Sequence, residues 1–576
     1  MKKLINDPIR VVEEMLEGMV AIHPGLKRLA GESVLIRADA DEARGQQVGL
    51  ISGGGSGHEP AHAGYIGRGM LSAAVAGDVF TSPSPDSVHA AIRAVAASRG
   101  ALLIVKNYTG DRLNFGLAAE RARAEGIPVD IVIVADDVAL AGGSGQGQGQ
   151  GHEHAGRRGL AGTILVHKIA GAAAEAGASL ADVAAEARAA AAAVRTMGVA
   201  LSPCTVPAAG RPGFSLGETE VELGLGIHGE PGVRRVPIEP ADAMVDRLMG
   251  PILDEVHADR VVLLVNNLGA TPTMELSIVA RHAIDVLERA GRRVERAYAG
   301  TFLSALEMAG VSLTVLPVDD RRLARLDAPT DAPAWPNAAD RPRSPSSASF
   351  PPPPPALRPA AGAPQTATGR RLGAAIRAAA EALIKAEPQL TELDQAVGDG
   401  DIGISLTRGA RAVLETLPAC PLDDPAATLH ELALTLQRAL GGTSGPLYAM
   451  LLLRAAAALR SNDPTAATTW AEALHAGAVG ISELGGASAG ERTMLDALFP
   501  AAETLASGLH AGKPAMAALA EAVEAAKGGA EATASMSPRR GRTSYLGDRA
   551  LGRPDPGAVA VSLWLRAASE ALQAMD

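Results

Sequence analysis

Cysteine is nearly absent from this chain of 576 residues, which has two. Cys204 and Cys420 lie far apart, so neither a disulfide framework nor a Cys-x-x-Cys metal motif can form. That usage fits a reducing compartment, and a cytoplasmic location is expected. Aromatic residues make up 2% of the sequence, so its cores must be built from Ala, Val, Leu and Ile. No run of about 18 apolar residues occurs, so no membrane span is expected. The opening stretch, MKKLINDPIRVVEEMLEGM, holds two lysines and then Asp7, Glu13, Glu14 and Glu17. It has no apolar segment of the kind a secretory leader needs, and none is expected. Basic residues are the minority: 53 Lys and Arg against 64 Asp and Glu leave a net charge of −11. A nucleic-acid partner is therefore not expected, although a local site can still hold an anion through metal or backbone N–H groups. The G-x-x-x-x-G-K-S/T phosphate loop is missing too.

What is present divides at a linker. Residues 326–368 are dominated by Pro, Ala and Ser and include PPPPP at 351–355, a stiff polyproline II sequence. Such a segment buries too little apolar surface to fold alone, and a spacer is expected rather than a docking site for a proline-binding domain. Before it, in 1–325, short apolar runs end in glycine- or asparagine-rich turns: VGLISGGGSGH, ALLIVKNYTGD, VDIVIVADD and RVVLLVNNLGAT. Alanine-rich helical stretches separate them. Runs apolar on both faces and spaced by helices predict an α/β half of mostly parallel sheets, in two subdomains with a break near 185–200. In such folds ligands bind beyond the carboxyl ends of the strands, where the first three turns fall. After the linker, 369–576 shows helical apolar spacing and no convincing strand, which predicts an all-α domain of about eight helices. The Gly/Gln stretch at 142–154 carries His152 and His154 and is expected to be a surface insertion rather than a metal site.

The chemistry-bearing stretches follow this division. In AVGDGDIGISL (396–406), Asp399 and Asp401 flank one glycine, and Asp394 lies just upstream. Three carboxylates so close, with no basic neighbour, repel one another unless they hold divalent cations; the alternative is a solvated acidic loop. An EF-hand is excluded, because the twelfth position counted from Asp394 is Ser405 and from Asp399 is Ala410, neither a Glu. GGTSGP (441–446) offers Thr443 and Ser444 at the start of a helix, an anion site. GGASAGERTM (485–494) is a second glycine turn opening a helix, and SPRRGRTSYLGDRALGRPDPGA (537–558) supplies arginines and a DPG turn. Acidic ligands, glycine loops and arginines are what a nucleotide phosphate with Mg²⁺ needs. In the first half, GGGSGHEPAHAGY (53–65) follows a strand and projects His58. KNYTGD (106–111) offers Lys106 and Asp111, and GLGIHGEPG (224–232) sets His228 between glycines. Taken alone, these residues point to a small polar substrate and a Mg–nucleotide.

Together these motifs resemble the dihydroxyacetone kinase family, in order and over nearly the whole chain, with NYTGDRLNF, AGRRGLAGTILVHKIAGAAAE, GERTMLDAL and GRTSYLGDRALGRPDPGA adding to the match. The resemblance implies an α/β substrate domain and an eight-helix barrel that carries ATP. It implies that His228 bonds the substrate's carbonyl carbon as a hemiaminal, with His58 and Asp111 binding hydroxyls and assisting proton removal. Gly55, Ser56, Gly57, His58, Lys106 and Asp111 match substrate contacts, and Asp394, Asp399 and Asp401 match the ligands of two Mg²⁺ ions. Ile402, Gly403, Ile404, Ser405, Thr443, Ser444, Gly485, Met494, Arg542, Asp555 and Gly557 match nucleotide contacts. The implied activity is ATP-dependent phosphorylation of dihydroxyacetone. Its alternatives are phosphorylation of glyceraldehyde or erythrulose, the cyclising FAD-AMP lyase activity of one family branch, or a non-catalytic regulatory role. The implied assembly is a homodimer with crossed domains, with no nucleic-acid or membrane partner. The chain departs from the family pattern in its 142–154 insertion, in Ile402, where a polar residue is usual, and in Arg492, where lysine is expected.

Overall fold

The computed structural model describes residues 2–140, 156–337, 364–397, 400–539 and 550–576. The chain divides into two compact units, Met1–Ser347 and Ala348–Asp576.

Two six-stranded sheets build the first unit. One holds β1 (Leu26–Arg28), β2 (Val34–Arg37), β3 (Gly49–Ser56), β4 (Ala73–Val79), β5 (Ala101–Lys106) and β6 (Val129–Val134), in the order β1-β2-β4-β3-β5-β6. β4, β3, β5 and β6 run parallel, and β2 and β1 extend that sheet antiparallel. β3 and β5 are buried at every position, which is why they read as unbroken runs of small and apolar residues. Around this sheet come α1 (Val11–Ile22), α2 (Ala40–Ala43), α3 (Pro85–Val95), α4 (Thr109–Ala124), α5 (Gly162–Glu175) and α6 (Leu180–Ala193). The Ser84 hydroxyl caps α3 by accepting the Ser87 N–H, with Pro85 in the first turn.

The second sheet holds β7 (Arg195–Ala200), β8 (Glu220–Leu223), β9 (Arg234–Pro237), β10 (Arg260–Asn267), β11 (Arg293–Gly300) and β12 (Gly310–Pro317), in the order β11-β10-β12-β7-β8-β9. α7 (Ala241–Leu253), α8 (Thr273–Arg289) and α9 (Asp320–Asp327) accompany it. Here the mostly parallel expectation gives way to a mixed sheet: β10 and β11 are parallel and every other pair is antiparallel. The cause lies in the connections. A parallel return needs a crossover helix, and α8 supplies one between β10 and β11, whereas 301–309 joins β11 to β12 without a helix. α5 packs against β3 and β5 of the first sheet and β12 of the second, and every residue from Gly162 to Ala174 is buried.

The chain does not leave this unit at 326. Leu326, Ala332 and Trp335 are buried, and the Trp335 ring packs against Tyr298 with centroids 5.0 Å apart. Burying one large side chain is worth about 2–3 kcal/mol, enough to hold a proline-rich strand of sequence on the surface. Most of the expected linker, 338–363, and the whole Gly/Gln stretch lie outside the described residues.

The second unit is helical, with nine α-helices among the described residues. They are α10 (Ala367–Lys385), α11 (Glu387–Val397), α12 (Ile402–Thr416), α13 (Pro425–Ala439), α14 (Ser444–Ser461), α15 (Ala467–Gly485), α16 (Leu495–His510), α17 (Ala515–Ala532) and α18 (Pro556–Gln573). α10 and α12 through α18 form a closed ring of eight, each packed on the next, with α18 packed back on α10. α11 is the extra turn-in between α10 and α12. An apolar cavity lies among α10, α12, α13, α14 and α18, lined by residues that include Leu383, Leu406, Leu432, Leu451 and Trp564. Short connections make ring neighbours antiparallel, so alternate connections share one end. The segments entering α12, α14, α16 and α18 therefore gather at the same end, and all four carry a motif singled out from the sequence.

Candidate functional site

The carboxyl ends of β3 and β5 adjoin in the first sheet, as its parallel pairing dictates. β3 ends in Gly53-Gly54-Gly55-Ser56 and runs on into Gly57 and His58; β5 ends in Lys106; Asp111 lies in the first turn of α4. Lys106 and Asp111 converge over Gly54, where an added Cβ would stand 3.2 Å from the amine nitrogen and 3.6 Å from carboxylate Oδ2. At Gly55 a Cβ would fall 2.5 Å from the Thr81 backbone nitrogen, so only glycine fits. The Ser56 hydroxyl donates to Gly77 O at 2.7 Å, which leaves its oxygen to act toward a ligand as an acceptor.

His58 is fully buried, and its Nδ1 lies 2.9 Å from Ser304 O in the second sheet's 301–309 connection. A carbonyl only accepts, so Nδ1 carries the proton and Nε2 presents a bare lone pair. The His58 ring stacks on Phe80 at 5.1 Å. His228 comes from the loop after β8, and its ring lies 5.0 Å from His58, 5.5 Å from Phe80 and 4.4 Å from Tyr108. Glu230 holds that loop by accepting the His228 backbone N–H at 2.8 Å. Arg158 ties it to the first sheet, donating to Asp137 beyond β6 at 2.7 Å and to Gly224 O at 2.6 Å.

Burial sets the charges. It pushes His228 down to about 3, helped by the positive charges of Lys106 and Arg158, and it pushes His58 well below the ordinary histidine value. Both imidazoles are neutral at physiological pH. Lys106 is lowered to about 8 by burial, with Asp111 and Glu59 opposing, and burial raises Asp111. Four buried atoms on these residues have no hydrogen-bond partner among the described residues: His58 Nε2, Lys106 Nζ, Tyr108 OH and Asp111 Oδ1. Native proteins rarely leave such groups bare, so the arrangement fits a small polar ligand.

In the second unit, Asp394 Oδ2 accepts the Ile402 N–H at 3.2 Å, tying α11 to the start of α12. Gly403 allows that approach, since a Cβ there would fall 2.2 Å from Thr391 Oγ1. Asp401 precedes α12 and is exposed, as is Ile404, while the Ser405 N–H bonds Asp401 O. Neither Asp394 nor Asp401 has a Lys or Arg within 4.0 Å among the described residues. Asp399 lies outside them, and among them no group of three or more metal-ligating side chains gathers. Thr443 and Ser444 stand at the start of α14. Gly485 ends α15; Met494 precedes α16 and lies 3.7 Å from where a Gly557 Cβ would be, so the 486–494 loop meets the first turn of α18. Asp555 caps α18 through the Ala558 N–H at 2.8 Å, and burial raises its carboxyl to about 6. Arg542 lies outside the described residues.

Sequence reasoning missed Phe80, Tyr108, Arg158, Glu230 and Ser304. Tyr108, Arg158 and Glu230 sit inside motifs singled out from the sequence, and Tyr108 and Glu230, two residues after Lys106 and His228, could have been flagged by proximity alone. Nothing local marks Phe80 or Ser304. Phe80 and Leu306 take left-handed φ values of 58° and 55°, strain that the walls of this pocket impose.

The Dak1 domain matches residues 17–334 and the DAK2 domain matches residues 396–570. The triokinase/FMN cyclase of Homo sapiens is 44% identical over 588 residues, covering 99% of each chain. The D-erythrulose kinase of Mycolicibacterium smegmatis is 35% identical over 583 residues, covering 99% of this chain and 98% of its own. Among solved structures, the dihydroxyacetone kinase from C. freundii in complex with AMP-PNP and Mg²⁺ is similar with a TM-score of 0.64 at 35% identity, covering 99% of each chain.

Proposed function

This chain belongs to the dihydroxyacetone kinase family, and on that premise we propose that it phosphorylates dihydroxyacetone with ATP. The observation that carries the reading is a neutral His228, packed against His58 and Tyr108, in a site where four buried polar atoms of His58, Lys106, Tyr108 and Asp111 have no partner among the described residues. A neutral imidazole nitrogen has the lone pair needed to attack a carbonyl carbon. The N–C bond forms, the carbonyl oxygen takes up a proton, and the ring gives up its N–H proton, leaving a neutral hemiaminal. Lys106, Tyr108 and Asp111 then face the oxygens of a bound triose. The substrate's primary hydroxyl attacks the γ-phosphorus and ADP leaves. The bare Nε2 of His58, or the Asp111 carboxylate, accepts the hydroxyl proton.

A covalent anchor selects carbonyl compounds over glycerol, which has hydroxyls but no carbonyl carbon. Glyceraldehyde and erythrulose are the alternative acceptors within the same chemistry. Asp394, Asp399 and Asp401 would hold two Mg²⁺ ions, and the fit rests on Asp394 and Asp401 lacking any basic partner among the described residues. Bound there, the metal supplies positive charge against the phosphate oxygens. The acceptor site and the nucleotide end of the helical ring belong to different units, so transfer requires them to meet. We place that meeting in a crossed homodimer, in the cytoplasm, with no nucleic-acid or membrane partner. Coupled ADP release from ATP across dihydroxyacetone, glyceraldehyde, erythrulose and glycerol tests the reading: turnover with ketone or aldehyde and none with glycerol is expected, and equal turnover with glycerol refutes it. The name of the human relative favours a second reading, release of AMP from FAD by cyclisation at the same nucleotide site. Incubation with FAD alone and measurement of AMP decides it.

A further inference from the structure

Arg492 is 2% exposed and takes a left-handed φ of 63°, one of three non-glycine residues with positive φ among the described residues. The other two, Phe80 and Leu306, line the acceptor pocket. Strain of this kind costs energy and persists where the surroundings impose it. Nη2 donates to Arg553 O at 2.9 Å, two residues before the cap of α18. Nε and Nη1 are buried with no partner among the described residues. The nearest carboxylates are already committed to backbone. Asp555 takes the Ala558 N–H, and Asp496 takes those of Gly490 and Thr493 at 2.5 and 2.8 Å. Neither lies within ion-pair distance of Arg492.

A buried guanidinium with open donors and no carboxylate in ion-pair contact is costly, even with Asp555 acting on it from a distance, and a bound anion would satisfy both its donors and its charge. The site is also the meeting point of two helix N-termini: Met494 directly precedes α16, and Gly557 lies against it in the first turn of α18. Both ends carry positive dipole charge. We propose that Arg492 binds a phosphate oxygen of the nucleotide, its two open nitrogens, Nε and Nη1, and the two helix ends forming one anion cradle. The inference rests on the nucleotide being held at this end of the helical unit, and it names the side chain that grips the phosphate chain. Arginine suits the place because its planar fork keeps its charge and presents several fixed donors at once.

Titration calorimetry on the full chain with ATP, ADP, adenosine and inorganic tripolyphosphate tests it, comparing wild type with Arg492→Gln and Arg492→Lys. The glutamine variant is expected to lose about ten- to one-hundredfold in affinity for ATP, ADP and tripolyphosphate, as a charge-assisted hydrogen bond to phosphate would. Adenosine affinity stays unchanged, and the lysine variant recovers part of the loss. Equal ATP affinity in wild type and Arg492→Gln overturns the proposal. So does an equal loss for adenosine and ATP, or unfolding of the helical unit in both variants, since either makes the residue purely structural. Absence of ATP binding in the wild type would instead refute the kinase reading itself, and tripolyphosphate binding would still report on Arg492.

Discussion

Replacing His167 by leucine separates a titration from a packing effect. His167 lies on α5, fully buried, with its ring 5.3 Å from His62 and 6.3 Å from Tyr65 and both ring nitrogens unpartnered among the described residues. Burial, reinforced by the charge of Lys106, lowers its pKa from 6.5 to about 3. The native imidazole therefore stays neutral in the range where the unfolded chain takes up a proton. Its contribution to stability is whole above pH 6.5 and is lost as pH falls from there toward 3. At ~1.4 kcal/mol per pH unit, the loss amounts to about 2 kcal/mol at pH 5. Leucine has nearly the same volume and nothing to titrate. At pH 7.5 the variant should be as stable as the wild type, or more stable by about 1 kcal/mol, because two unpaired buried nitrogens are gone.

Urea unfolding at pH 7.5 and pH 5 measures the difference. Of the three tryptophans only Trp335 lies in the first unit, so a Trp470→Phe, Trp564→Phe background reports that unit alone. The stability gap between His167→Leu and its parent should shift by about 2 kcal/mol in favour of the variant between the two pH values. His58, His62 and His228 carry the same sign, and the raised Asp136 and Asp137 the opposite one. All but His62 cancel in the comparison; the charge of His167 is one cause of the low His62 pKa, so its removal adds a smaller effect in the same direction. Parallel loss of stability in the two proteins would refute the reasoning, since it would mean that native His167 already binds a proton at pH 5.

The legibility of this protein in its sequence follows the range of the interactions involved. Period and punctuation are local, so the α/β half, the helical half and the parallel strands ending at Ser56 and Lys106 could be read directly. The mixed second sheet could not, because a buried antiparallel strand such as β12 has the same apolar run as a parallel one. Only the missing crossover helix at 301–309 distinguishes them. Trp335 misled for a related reason: a single buried ring fixed a segment whose composition says linker. Within the candidate site, the residues proposed for their chemical type (His58, Lys106, Asp111, His228) stand out in short glycine-framed motifs. Those that hold them do not. Ser304 sets the His58 tautomer from 246 positions away through a backbone carbonyl, for which any residue type would serve. Phe80 and Arg158 act by position in the folded chain: nothing around Phe80 marks it, and Arg158, although inside AGRRGLAGTILVHKIAGAAAE, is one of two adjacent arginines that the sequence cannot tell apart.

Asp401→Asn should lower phosphoryl transfer more than about a hundredfold, the scale of losing one electrostatic stabiliser, while the first unit still binds dihydroxyacetone by calorimetry; full activity would remove the metal role. Tyr108→Phe should raise the thermal midpoint of the unliganded first unit, because an unpartnered buried hydroxyl is deleted, and weaken dihydroxyacetone binding about tenfold. A lower midpoint with unchanged binding would show that the hydroxyl is already satisfied. Mixed chains of His228→Ala and Asp401→Asn should regain activity after subunit exchange if each helical unit serves the partner's acceptor site, and verified mixed dimers without activity would place transfer within one chain. The adduct on His228 should persist into acid. With its pKa near 3 the imidazole is still neutral at pH 5, so native mass spectrometry should find the whole triose added to the protein there as at pH 7.5, and nothing added with glycerol. A histidine with the ordinary value of about 6.5 would be protonated some thirtyfold over at pH 5 and would lose its nucleophile in the same proportion. Adduct yield that falls off below pH 6.5 would therefore contradict the burial of His228, and the same mass shift with glycerol would contradict the carbonyl chemistry.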